Sequence, residues 1–113
     1  MNTVDNTSLK LNELAEAKDA VALATGGIAV ECTKKDDGKI LILLENTGAE
    51  ATCTILKGNA LQGTTDLEIK VSASKTSAIT VESGKYANVF GEKAGKVIIK
   101  GPAAVKIRVI ELP

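Results

Sequence analysis

From residue 28 onward, apolar and polar side chains alternate in short runs separated by glycine, asparagine and aspartate. Ile28, Val30 and Cys32 alternate with Ala29, Glu31 and Thr33, which predicts a half-buried strand over residues 28–33. The run Ile40-Leu41-Ile42-Leu43-Leu44 is apolar on both faces and predicts a central strand covered on two sides. Alternation recurs over residues 51–57, 67–71, 79–82 and 105–109, with shorter apolar stretches at 86–90 and 97–99. Lys35-Asp36-Asp37-Gly38 predicts a hairpin turn between the first two strands, glycine supplying the positive φ. Asn46-Thr47-Gly48, Gly84, Gly91 and Gly101-Pro102 punctuate the rest. About seven or eight strands at this spacing predict an all-β domain over residues 28–113, a single antiparallel sandwich or small barrel.

Residues 1–27 read differently. Residues 12–24 (NELAEAKDAVALA) combine high helix propensity with an asparagine suited to the N-cap. Leu14, Ala17, Val21 and Ala24 would share one face, so a short helix is expected here, ended by Gly26-Gly27. Val4, Leu9 and Leu11 are the large apolar residues of the preceding polar segment, beyond the initial Met1. That segment is expected either as an edge strand on its own sandwich or as an arm that orders against a partner.

Composition narrows the chemistry. The chain has no histidine or tryptophan, one Tyr (Tyr86) and one Phe (Phe90), so the core must be aliphatic. Histidine is the usual general base and metal ligand at neutral pH, and aromatic rings are the usual platforms for sugars and bases. Fourteen basic residues balance fourteen acidic ones, which leaves no electrostatic footprint for nucleic acid or an anionic membrane. A net charge of zero tolerates close association with a large partner or with further copies of the chain. The first residues lack the basic and apolar regions of a signal peptide, so a product retained in the cytoplasm is expected. Cys32 and Cys53 each fall at inward-facing strand positions and read as buried thiols, with a cross-strand disulfide as the alternative.

Three stretches imitate functional motifs. Gly58-Asn59-Ala60-Leu61-Gln62-Gly63-Thr64-Thr65 has phosphate-loop glycine spacing, but Thr64 stands where the lysine belongs and a strand follows instead of a helix. Asp36-Asp37-Gly38 has no third acidic ligand at calcium-loop spacing and reads as a turn. Lys106 and Arg108 read as the solvated face of a strand. Glu45, Glu50, Glu68, Glu82 and Glu92 are scattered carboxylates without aromatic subsites, so no catalytic residue, cofactor or metal is expected.

The pieces ILILLENTG (40–48), KGNALQGTTDLEIKVSASKTSAITVESGKY (57–86) and GKVIIKGPAAVKIRVIELP (95–113) resemble small virion proteins of tailed bacteriophages of the head-decoration type. The resemblance covers roughly two-thirds of the chain. It implies an all-β fold and a non-enzymatic structural role in the virion, beside or upon the major capsid protein, after synthesis in the bacterial cytoplasm. A tail or baseplate subunit, or a sandwich module for a receptor or carbohydrate, is the alternative. On this reading Val4, Leu9 and Leu11 of the arm, with Asn59, Gln62 and Asp66 of the glycine loop, are the expected partner contacts.

Overall fold

The computed structural model describes residues 1–113. The strands are β1 (Asn2–Thr3), β2 (Asn6–Ser8), β3 (Val21–Ala22), β4 (Ile28–Glu31), β5 (Ile40–Asn46), β6 (Ala51–Ile55), β7 (Leu67–Val71), β8 (Thr76–Ile79), β9 (Lys96–Lys100) and β10 (Val105–Glu111). One helical turn, α1 (Ser83–Tyr86), and a 3-10 turn at Asp37–Lys39 complete the list. Strand takes 42% of the residues and helix 6%, as the alternating pattern requires. The strands form two sheets packed as a sandwich, in the orders β1-β4-β9-β6-β7 and β2-β10-β5-β8. β3 joins the second sheet beside β2, on the same edge of β10.

Inward residues of both sheets form one core cluster of 17 buried side chains, which includes Ile28, Val30, Ile42, Leu44, Ile55, Val97, Ile99, Ile107 and Val109. It is aliphatic, and each fully buried Val, Leu or Ile contributes about 1.5–3 kcal/mol relative to exposure. Cys32 and Cys53 lie in this cluster as free thiols. Burial pushes the Cys32 thiol up to about 11 and raises that of Cys53, so neither is a thiolate at neutral pH.

The two long central strands, β5 and β10, pair antiparallel over their whole length. Their inward stripe ends in a polar residue at each extremity, Asn46 opposite Val105 and Glu111 opposite Ile40. Both are buried. Asn46 donates its side-chain amide to the carbonyls of Ala49, Val71 and Ser72, at 2.8–3.3 Å, and accepts from the Gly48 N–H. It thereby closes one end of the sandwich, where the chain crosses from β5 to the other sheet.

Four expectations are corrected. Residues 12–24 form no helix: Asn12 adopts φ 62° in a turn, Leu14 is fully exposed, and the chain runs extended into β3. The alanine face offered too little apolar area to hold a helix against the sandwich. The Asp-Gly turn is no hairpin, because β4 pairs with β9 while β5 pairs with β10 and β8. Gly38 lies in the 3-10 turn that carries the chain between sheets. The sandwich is mixed, not purely antiparallel, because β1 and β2 pair parallel with β4 and β10. Residues 1–27 are no separate arm: β1, β2 and β3 are edge strands, and Val4 is only 4% exposed in the core. The first segment crosses from one sheet to the other within two residues, and Val4 plugs the gap it spans.

Candidate functional site

The loop between β6 and β7 and the segment from α1 to β9 are built around close backbone approach. The Gly58 N–H donates to the Lys85 carbonyl at 2.9 Å. A Cβ at Gly58 would stand 2.2 Å from the Ala87 carbonyl oxygen, and one at Gly63 would stand 2.1 Å from that of Gly58. The glycine spacing that imitates a phosphate loop therefore serves to stack backbone on backbone. Asp66 Oδ1 accepts the Lys57 N–H at 2.8 Å and ties the base of the loop. Gln62 lies with its Oε1 over Gly84, where a Cβ would come within 2.7 Å. In turn α1 is fixed by the Asp37 carboxylate, which accepts the Ser83 N–H at 2.9 Å. Asp37 thus has a structural partner in the chain, and no three His, Cys, Asp or Glu side chains converge as a metal-holding group.

Asn59 joins the two loops. Its Nδ2 donates to the Phe90 carbonyl at 3.0 Å and its Oδ1 accepts the Val89 N–H at 2.7 Å. The second loop is itself closed by Gly91 and Gly95, both at positive φ, and by the Gly95 N–H bond to Asn88. The clamp holds outward three large apolar side chains: Leu61 is 99% exposed, Phe90 64% and Val89 59%. Apolar groups on a doubly pinned loop pair lose little conformational entropy on binding, which suits a protein contact. What the loop pair offers is apolar contact area.

The expected partner residues divide. Asn59, Gln62 and Asp66 lie in the one loop and all three are exposed; Asn59 and Asp66 also brace its backbone, and the Gln62 Oε1 lies over Gly84. Leu9 is half-buried, its N–H bonded to the Glu111 carbonyl, and Val4 is in the core. Leu11 is exposed in the turn beyond β2. Leu61, Val89 and Phe90 were missed. Their signal was present: large apolar residues in glycine-punctuated loops, outside any alternating run.

A polar cleft of about 360 Å³ lies where the first segment crosses between the sheets. Glu111 sits on its inner wall, accepting from Ser8 Oγ at 2.6 Å and Asn6 Nδ2 at 3.0 Å; the latter also donates to the Glu31 carbonyl. Glu31 pairs with Lys96 at 3.5 Å. The Ser8 and Asn6 hydrogen bonds hold the Glu111 carboxyl below the usual carboxylate range, and Thr33 does the same for Glu31. Both therefore remain ionised at neutral pH, the state of a structural anchor rather than of a general acid.

The linkage has a definite sign. A carboxyl whose folded pKa is depressed adds stability above its unfolded pKa, and that stability is lost as pH falls through the folded value. The urea midpoint is therefore expected to fall between about pH 5 and pH 3. Glu111→Gln should flatten that fall, leaving the part due to Glu31; an unchanged slope would remove Glu111 from this role.

Comparison with family models, with curated proteins and with solved structures finds no match to this chain.

Proposed function

We propose that this chain is a non-enzymatic structural protein of a tailed-phage virion, seated on the head by contact with the major capsid protein or a neighbouring virion protein. The observation that carries the reading is the platform: Leu61, Val89 and Phe90 held out on two loops that Asn59 pins together. Such a surface is preorganised for a protein contact, and the resemblance read in the sequence of residues 40–48, 57–86 and 95–113 is what suggests a phage head as the partner. Affinity per copy is modest on this reading, because a shell offers many equivalent sites. Assembly in the bacterial cytoplasm accompanies it.

Add-back of purified protein to shells lacking it tests the proposal. Wild-type protein should co-sediment with heads. The double variant Leu61→Asp/Phe90→Asp should fold normally, because both side chains are exposed, and bind at least about 30-fold more weakly, the loss of a hot-spot side chain worth about 2 kcal/mol. Undiminished co-sedimentation by the variant would move the contact off the platform. Binding to tails and not to heads would favour a tail or baseplate subunit instead.

A further inference from the structure

The two sheets have four edges, and three are blunted. β1 is two residues long, and the free edge of β10 is divided between β2 and β3. β7 carries Glu68 and Lys70, the charges by which edge strands discourage pairing. β8 alone has no such device: Thr76-Ser77-Ala78-Ile79 is uncharged, free of proline and paired with β5 on one side only.

Its backbone can be assigned residue by residue. The Asn46 N–H donates to the Lys75 carbonyl at 3.0 Å, and the same register places Ser77 opposite Leu44 and Ile79 opposite Ile42. In an antiparallel ladder hydrogen-bonded pairs alternate with non-bonded ones. Lys75, Ser77 and Ile79 therefore bond toward β5, while Thr76, Ala78 and Thr80 turn their N–H and C=O groups outward. Beside this edge a small apolar cleft of about 160 Å³ opens between β8 and β7, lined by Leu44, Ile69, Val71 and Ile79.

We propose that β8 is the contact through which two copies of this chain pair, antiparallel about a twofold axis at Ala78. A twofold normal to the sheet requires opposing residues to share a face, so residue pairs must sum to an even number. Centring on Ala78 sets Thr76 against the partner's Thr80 and Ala78 against the partner's Ala78. Every outward N–H and C=O of these three residues then finds a mate. Ala78 is exposed and small, so the two backbones meet without side-chain obstruction. The partner's Ile79 extends the inward layer across the mouth of the apolar cleft. The same register sets Lys75 of each strand against Val81 of the other, so it opposes no like charges. A chain with 14 basic and 14 acidic residues has no net repulsion to oppose this.

One strand pair is a small interface, so the dimer should be weak, appearing between about 0.1 and 1 mM. Sedimentation velocity over that range tests it, with Ala78→Lys and Ala78→Glu as probes. Each variant puts like charges face to face on the axis, so each alone should remain monomeric, with its thermal midpoint and circular dichroism as in wild type. An equimolar mixture of the two should associate again. A wild-type chain that stays monomeric throughout overturns the proposal. So does a charged variant that dimerises like wild type, or a mixture that stays monomeric.

Discussion

Deleting residues 1–10 is expected to destabilise the domain by roughly 3–6 kcal/mol, from one buried Val and the hydrogen bonds to a buried carboxylate. The truncation removes Val4 from the core and strips β1 and β2 from the edges of β4 and β10. It also takes away Asn6 and Ser8, leaving the Glu111 carboxylate without either side-chain partner. A domain of this size holds a total of about 5–15 kcal/mol, so the loss is a large fraction of it. The thermal midpoint should drop by roughly 15 °C or more. An arm that merely reached out to a partner would leave that midpoint unchanged. A truncated protein melting with wild type would therefore show that the first segment contributes nothing to the sandwich.

Gly63→Ala should cost about 1–3 kcal/mol, the range for forced overpacking, and, if the proposed function holds, should weaken binding to shells as well. The new Cβ would lie 2.1 Å from the Gly58 carbonyl oxygen, a backbone atom that cannot swing aside. Gly58 is itself wedged against Ala87, so the strain passes to the segment carrying Val89 and Phe90. Gly26→Ala is the contrasting control, since nothing lies within 4 Å of its Cβ position. Urea midpoints and shell co-sedimentation for both variants check the expectation. A Gly63→Ala protein as stable as wild type would mean that the two glycines do not stack.

Alternation alone determined that residues 28–112 would be β, because a period of two can bury only one face of a strand. The spans 67–71 and 105–109 were legible for that reason, and 40–44 as an unbroken apolar run; each has its inward residues buried or half-buried. The inward thiols of Cys32 and Cys53 were legible on the same ground. Pairing was not. Asp36-Asp37-Gly38 has the composition of a hairpin turn, yet β10, arriving from the far end of the chain, takes the place beside β5. Local turn preference is worth less than seven paired residues packed over a common core. Residues 12–24 failed as a helix for the same reason: propensity without an apolar stripe yields to whatever tertiary contacts the flanks make. Two further contacts fall within the stretch itself, at Lys18: Thr7 accepts its N–H at 2.7 Å, and Arg108 donates to its carbonyl at 2.6 Å. In the platform, the glycine loop could be read as structural, but its role as a brace could not. Asn59 acts on Val89 and Phe90, thirty residues away in the chain. Composition and period determined what kind of fold this protein makes. Only long-range packing decided which strands meet, which glycines touch, and which few apolar side chains remain outside.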